Sequence, residues 1–157
     1  MLPKLLKLYL DTSIFNFAVS TQAIGEKKGM TLQFLDKIRN GRFMAYISPV
    51  IFDEIREAPS KKQRDLLDLM EQLPLESLPQ TDEVEILADQ YVERKIIPIK
   101  YYDDALHIAM ASVYNLDAIV SWNFEHIVKF KTRREVQAVN TFMGYKTVQI
   151  CSPQEMM

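Results

Sequence analysis

The chain is poor in the residues that build disulfides and zinc clusters. It has one cysteine, Cys151, and two histidines among 157 residues. A single cysteine forms no internal disulfide and cannot assemble a Cys-based zinc cluster. The opening residues 1–10 are apolar but are interrupted by Lys4 and Lys7, and this segment is too short and too broken for a signal sequence or a membrane span. We therefore expect a cytoplasmic protein that makes no membrane contact.

A strong basic charge and flexible linkers are also lacking. The net charge is −2, and only four glycines are present, with no repeat or Gly/Ser-rich linker. The chain thus lacks the basic field of a nonspecific nucleic-acid coat protein, so a polyanionic partner must be bound locally. The length of 157 residues and the 48% apolar content are typical of one globular domain. We expect a single domain over residues 1–157.

Short apolar segments alternate with longer amphipathic ones, which is typical of an α/β fold. The predicted strands cover residues 5–10, 43–47, 75–78, 118–120 and 146–150. The predicted helices cover residues 31–39, 49–57, 61–73, 82–96, 103–114 and 132–143. Ser48 is expected to cap the second of these helices, Thr132 and Glu135 to form a capping box, and Gly144 to end the last helix. The sequence predicts a three-layer α/β/α domain with a central parallel sheet of four to five strands.

Four polar side chains fall where such a sheet binds ligands, beyond the carboxyl ends of its strands. Asp11 follows the first strand and Asn123 follows the strand at 118–120, while Glu54 and Asp104 lie on helices next to strands. Carboxylates brought together repel one another, and a hard divalent cation with oxygen ligands removes that cost. We therefore expect a metal site for Mg²⁺ (or Mn²⁺).

Four segments in this order resemble the VapC-like class of PIN domains, over nearly the whole chain: LYLDTS, SPVIFDEI, DDALHIAMA and IVSWNFEHI. The resemblance implies a metal-dependent endoribonuclease that hydrolyses RNA phosphodiester bonds with a metal-activated water. It also implies a toxin of a toxin–antitoxin pair, with an antitoxin protein as partner, and a homodimer.

The resemblance also implies roles for particular residues. Asp11, Glu54 and Asp104 match the catalytic acids that bind the metal. Asn123 stands where many members of the family carry a fourth acid. An amide oxygen can still ligate but adds no charge, so a single bound metal is expected.

Each of these acids also has a simpler interpretation. An Asp after a strand is a common helix N-cap, which would explain Asp11. Glu54 stands among charged neighbours from Asp53 to Glu57, as on a solvated helix face. Asp103 and Asp104 both suit the N-terminus of a helix, where the macrodipole stabilises negative charge.

Other residues are candidates for contact with the substrate. Ser13 would orient a phosphate or a water, or act as the cap itself. Trp122 would stack on an unpaired base, or cover the end of the sheet. His126 would touch the RNA strand, or hold local structure. His107 lies three residues after Asp104, and in an alanine-rich helix we expect it to pack or to support the site rather than to bind metal.

Two other functions compete with the nuclease. The first is a degenerate PIN module that binds RNA or a protein partner without catalysis, which Asn123 in place of the acid favours. The second is an aspartyl phosphatase of the haloacid-dehalogenase type, which also begins with an Asp at the end of the first strand. That class uses the pattern D-x-D, and residue 13 is serine in this chain.

Overall fold

The computed structural model describes residues 4–21 and 25–157. The strands are β1 (Lys7–Leu10), β2 (Met44–Ile47), β3 (Leu75–Ser77), β4 (Ala118–Val120) and β5 (Gln149–Cys151). The helices are α1 (Thr12–Val19), α2 (Glu26–Arg39), α3 (Pro49–Ile55), α4 (Ser60–Glu71), α5 (Asp82–Glu93), α6 (Tyr102–Val113) and α7 (Phe130–Met143). Short 3-10 helices cover Ile99–Tyr101 and Pro153–Met156.

The strands form one sheet in the order β3-β2-β1-β4-β5, and every neighbouring pair is parallel. The chain fills the sheet on one side of β1 with β2 and β3, and then returns to the other side with β4 and β5. The strand order therefore reverses between β1 and β4, and their carboxyl ends form the crevice in which ligands bind in open α/β sheets. The predicted fold class is confirmed.

Alternate residues of the strands bury opposite faces of the sheet, as the pleat requires. In β1, Leu8 and Leu10 belong to the apolar cluster shared with α1, α2 and α4, whereas Tyr9 belongs to the cluster shared with α5, α6 and α7. Both faces of the sheet are therefore covered by helices. Tyr9 brings a hydroxyl group into an otherwise apolar strand, 0% exposed, where a polar group needs a hydrogen-bond partner.

Several element boundaries were predicted correctly. Strand β4 has its predicted bounds. Helix α5 begins at residue 82 as predicted, and the Thr81 side chain caps it by accepting a hydrogen bond from the Val84 N–H. Gly144 ends α7 in the left-handed conformation, with φ of 88°, which a residue without a Cβ adopts at little cost.

Two of the predicted caps are wrong. The Ser48 side chain makes no capping hydrogen bond to α3, because its hydroxyl pairs with the Tyr9 hydroxyl at 2.8 Å. Thr132 forms no capping box, because α7 begins earlier, at Phe130, and the Thr132 hydroxyl donates to the His126 carbonyl oxygen instead.

Among the helices that the structure describes, none is long and apolar enough to cross a membrane. The opening segment 1–10, which we predicted not to be a membrane span, lies partly outside the described residues, since these begin at residue 4.

Candidate functional site

Asp11 lies at the centre of the crevice, directly after β1. It occupies the N-cap position of α1, but its side chain makes no capping hydrogen bond. Instead the carboxylate, on a residue only 3% exposed, accepts hydrogen bonds from the hydroxyl groups of Ser13 (2.5 Å) and Ser121 (2.8 Å). The simple capping interpretation of Asp11 therefore does not describe this side chain.

Both serine hydroxyls are themselves held by the backbone that follows β4. The Trp122 N–H donates to Ser13 Oγ at 2.8 Å, and the Asn123 N–H donates to Ser121 Oγ at 2.9 Å. Asp11 is thus connected through two hydroxyls to the loop after β4. Ser13 supports the acid and the loop, and it lies within α1 rather than at its N-cap. Its contact with a phosphate or a water stays a prediction.

Glu54 reaches the crevice from the last turn of α3. Its Oε1 atom accepts a hydrogen bond from the Thr12 hydroxyl at 2.7 Å and lies 2.6 Å from His107 Nε2. Its side chain is 28% exposed, whereas Asp53 forms an exposed ion pair with Arg56. Glu54 therefore faces the site, and Asp53 belongs to the solvated face of the same helix.

His107 is buried on α6, below Glu54. Its Nδ1 lies 2.6 Å from the Tyr9 hydroxyl, and its residue is 1% exposed. Both ring nitrogens thus have partners within the protein. This matches the expectation that His107 packs and supports the site rather than binding a metal.

Asp104 lies in the first turn of α6 and pairs with the loop after β4. The Asn123 side-chain amide donates a hydrogen bond from Nδ2 to Asp104 Oδ2 at 3.1 Å. Its Oδ1 atom accepts a hydrogen bond from the His126 backbone N–H at 2.9 Å. Asp103 is exposed and lines the surface depression beside Glu54. Of the two acids that open α6, Asp104 is the one joined to Asn123.

The electrostatics of these groups are strongly coupled. Burial and the charges of Asp11 and Glu54 raise the pKa of Asp104 to about 7, although nearby His107 opposes the shift. Burial likewise raises the pKa of Asp11. Burial would also raise the pKa of Glu54, but the hydrogen bond and charge of His107 outweigh it and hold that pKa below its usual value. Three carboxylates therefore lie close enough to repel one another, which is the cost that a cation removes.

Trp122 is inside the protein rather than on its surface. It is 5% exposed, its indole N–H donates to Thr31 Oγ1 at 2.7 Å, and its ring packs against Phe17 and Phe124. These contacts match the packing interpretation, in which the ring covers the end of the sheet.

His126 lies beside the site, stacked on Tyr101 with 4.1 Å between ring centroids. The side chain is 12% exposed, and its buried Nε2 atom has no hydrogen-bond partner among the described residues. Its backbone N–H helps to hold Asn123, as described above. The backbone of His126 therefore supports the loop after β4 through its hydrogen bond to Asn123.

Two residues near the site, Phe124 and Lys27, were not predicted from the sequence. Phe124 is 43% exposed next to Asn123, and the Lys27 ammonium lies 4.8 Å from the centroid of its ring. Aromatic rings and cations are two of the features that proteins which bind single-stranded nucleic acid combine. The signal available in the sequence was the aromatic spacing in Trp-Asn-Phe after a strand end.

A surface depression of about 450 Å³ opens beside Glu54. Its lining includes Thr12, Asn16, Glu57, Lys62 and Asp103. The depression therefore gives solvent and ligands access to the Glu54 side of the crevice, and Lys62 supplies a cation at its wall.

The acids do not form a ready-made metal cage. Within residues 4–21 and 25–157, no group of three or more Asp, Glu, His or Cys side chains is arranged to hold a metal ion. The oxygen donors and their mutual repulsion nevertheless fit a hard cation. Mg²⁺ in proteins usually keeps several waters and is held by one or two carboxylates together with substrate phosphates, so it does not require a three-ligand cage.

Neither a protein-family profile nor a curated protein matches the sequence. Among solved structures, the chain is similar to one in the crystal structure of VapBC2 from Rickettsia felis bound to a DNA fragment from their promoter. The TM-score is 0.60 at 14% sequence identity, and the match covers 94% of this chain and 98% of that chain. The two chains share a fold. This is the fold class of the family that the four sequence segments resemble.

Proposed function

We propose that this protein is a Mg²⁺- or Mn²⁺-dependent endoribonuclease, with Asp11, Glu54 and Asp104 as the acids that hold the ion. The observation that carries the proposal is the position of these carboxylates at the β1–β4 crevice, where burial together with the charges of Asp11 and Glu54 raises the pKa of Asp104 to about 7. Burying repelling carboxylates costs stability unless a ligand compensates. A site with this cost at a ligand-binding crevice is a candidate functional site.

The residues around the acids fit this chemistry. The serine hydroxyls keep the Asp11 carboxylate oriented, and the Asn123 amide does the same for Asp104. When bound, the ion would lower the pKa of a coordinated water and stabilise charge on a phosphoryl oxygen. Lys62, which lines the depression beside Glu54, and Lys27, which lies over the Phe124 ring, would neutralise phosphates of the RNA strand locally, since the whole chain carries a net charge of −2.

We further propose that the chain acts as the toxin of a toxin–antitoxin pair, inhibited by an antitoxin protein, and that it forms a homodimer. The shared fold with a chain of the VapBC2 complex supports this proposal. A short reading frame next to this gene that encodes a DNA-binding protein, and copurification of the two products, would test it.

The direct test is RNA cleavage by the purified protein with Mn²⁺, with EDTA as the metal-free condition. Asp11→Asn and Glu54→Gln remove one charge each and are expected to lower kcat at least about 100-fold, the order of magnitude for losing one preorganised electrostatic contact. Glu57→Gln is the matched control, because Glu57 is an exposed glutamate that lines the same depression. It should cleave like the wild type.

Failure of the wild-type protein to cut RNA with Mn²⁺, together with unchanged cellular toxicity of Asp11→Asn, would end the nuclease proposal. Retained Mn²⁺ affinity in Glu54→Gln would remove Glu54 from the set of acids that hold the ion.

A second candidate function is favoured by one observation. The Asn123 amide donates a hydrogen bond to Asp104 at the position where a fourth acid is common in the resembled family. Such a module would bind RNA or a protein partner without cutting. RNA binding that persists in EDTA, with no Mn²⁺ binding by calorimetry, would support it over the nuclease.

A further inference from the structure

We propose that His107 is a positioning residue, which acts with Tyr9 and Ser48 as a buried hydrogen-bond chain that fixes the Glu54 carboxylate at the site. This inference rests on the proposed function in so far as Glu54 holds the ion. The structural part, the orientation of Glu54, is testable without metal.

The buried chain connects three elements of the fold, β1, α6 and α3, with the residue that follows β2. Ser48 Oγ after β2 lies 2.8 Å from the Tyr9 hydroxyl in β1, which lies 2.6 Å from His107 Nδ1 in α6. His107 Nε2 then lies 2.6 Å from Glu54 Oε1 in α3. Residues Tyr9, Ser48 and His107 are each at most 1% exposed. Glu54 is therefore oriented by contacts that originate inside the protein and not at its surface.

Each group of the buried hydrogen-bond chain can be assigned a donor or an acceptor role. A carboxylate only accepts, so His107 Nε2 carries the hydrogen that it donates to Glu54. Burial raises the pKa of Tyr9 well above its usual value, so its hydroxyl keeps its proton. With a neutral imidazole, Tyr9 donates to Nδ1 and accepts from Ser48, and with an imidazolium both directions reverse. In either case each group has a partner, which makes the arrangement rigid.

Both contacts of Glu54 within this network involve one carboxylate oxygen. Thr12 donates to Oε1, and His107 pairs with the same atom. The second oxygen, Oε2, takes part in neither of these bonds. The network thus orients the carboxylate while leaving Oε2 for a different ligand. An acid held in this way loses less conformational freedom when it binds an ion, so its affinity for the ion is higher.

Tyr9→Phe is the test, because it removes one hydroxyl from the buried chain without touching Glu54. We expect the variant to bind Mn²⁺ at least about tenfold more weakly by calorimetry, as supporting contacts of metal ligands commonly contribute 10- to 100-fold. The kcat for RNA cleavage should fall, while the KM for RNA should change little, because no group of the buried chain contacts RNA in the proposal.

Tyr91→Phe is a matched control that removes the same atom from an equally buried tyrosine. The Tyr91 hydroxyl pairs with Ser112 and Asn140 instead of with the site. Both variants should lose stability to a similar degree, but Tyr91→Phe should keep wild-type Mn²⁺ affinity. Equal Mn²⁺ affinities of Tyr9→Phe and Tyr91→Phe would overturn the positioning role.

A metal-free measurement separates this inference from the nuclease proposal. In EDTA, the ring N–H proton of His107 that bonds to Glu54 should give a downfield resonance in wild type and in Tyr91→Phe. We expect it to shift or disappear in Tyr9→Phe, and an unchanged resonance would overturn the inference even if the wild type cleaves RNA. Conversely, a wild type that neither binds Mn²⁺ nor cuts RNA ends the nuclease proposal, while the resonance still decides whether the buried chain orients Glu54.

Variants of His107 itself provide a rescue experiment. His107→Ala leaves Glu54 Oε1 with the Thr12 hydroxyl as its remaining partner in this network, whereas the carboxamide of His107→Gln can still donate to it. We expect His107→Gln to retain more Mn²⁺ affinity than His107→Ala at comparable folding. Identical losses in the two variants would contradict a positioning role through the hydrogen bond.

Discussion

The Asn123 side-chain amide donates a hydrogen bond of 3.1 Å from Nδ2 to Asp104 Oδ2. A neutral amide thus stabilises the ionised form of a carboxylate that burial and two neighbouring acids push toward its protonated form. Asn123 therefore contributes to the acid site as a donor, in addition to any part that its oxygen would take as a ligand. This contact distinguishes an asparagine from an aspartate at this position.

Asn123→Asp is expected to lower the stability of the metal-free protein and to strengthen its binding of the metal ion. The new carboxylate keeps the acceptor for the His126 N–H but places a like charge beside Asp104. In EDTA the free energy of unfolding at pH 8 should fall by about 1–3 kcal/mol, which is typical of a lost hydrogen bond to a charged group. Saturating Mn²⁺ should stabilise the variant more than it stabilises the wild type, as measured by denaturant unfolding in both conditions.

The double variant Asp104→Asn/Asn123→Asp is the control for this prediction, because it restores the number of charges. It should regain most of the stability lost in EDTA. Equal stability of Asn123→Asp and wild type without metal would show that the Asn123–Asp104 contact contributes nothing.

The pH dependence of stability without metal should reveal Asp104. Its pKa is about 7 in the folded protein against an ordinary value of 3.8, so the folded state holds the proton more tightly than the unfolded state. The resulting stabilisation is fully present below about pH 4 and is lost as pH rises toward 7, by up to about 1.4 kcal/mol for each pH unit. The measurement is the difference in unfolding free energy between wild type and Asp104→Asn in EDTA, from pH 4 to pH 8.

The unfolding free energy of the wild type should fall relative to that of Asp104→Asn as pH rises from 4 to about 7. Above about pH 7 the difference between the two proteins should be constant. A difference that stays constant from pH 4 to pH 8 would mean that the Asp104 pKa is not raised. Mn²⁺ should flatten the curve, because a bound cation keeps the carboxylate ionised.

The sheet was accessible from sequence because its strands are short apolar segments between polar turns. Residues 118–120 form an isolated apolar run, and β4 was predicted at its observed bounds. Helix starts were less accessible. α2 begins at Glu26, ahead of the apolar periodicity that predicted it from residue 31, because the first turn of a helix needs no apolar side chains. α7 begins at Phe130, two residues ahead of the capping box that was predicted at Thr132.

The positions of the acids were predictable, but their partners were not. In the sequence, Asp11 lies at a strand end, Asp104 lies at a helix start, and Glu54 lies on the helix after the second strand. The Tyr9–His107 contact joins residues 98 positions apart, and the Ser121–Asp11 contact joins residues 110 positions apart. Such pairs exist because β1 lies next to β4 and α6 packs against both. No local pattern of residues encodes that neighbourhood.

The two interpretations of Trp122 differ in their measurable consequences, and Trp122→Phe separates them. The substitution removes the indole N–H that donates to buried Thr31 and leaves part of the ring volume empty. We expect a loss of about 1–3 kcal/mol in unfolding free energy with little change in the KM for RNA cleavage. Phe124→Ala, at the 43% exposed neighbour, should cost less stability and weaken RNA binding. A raised KM in Trp122→Phe without any loss of stability would instead favour base stacking by Trp122.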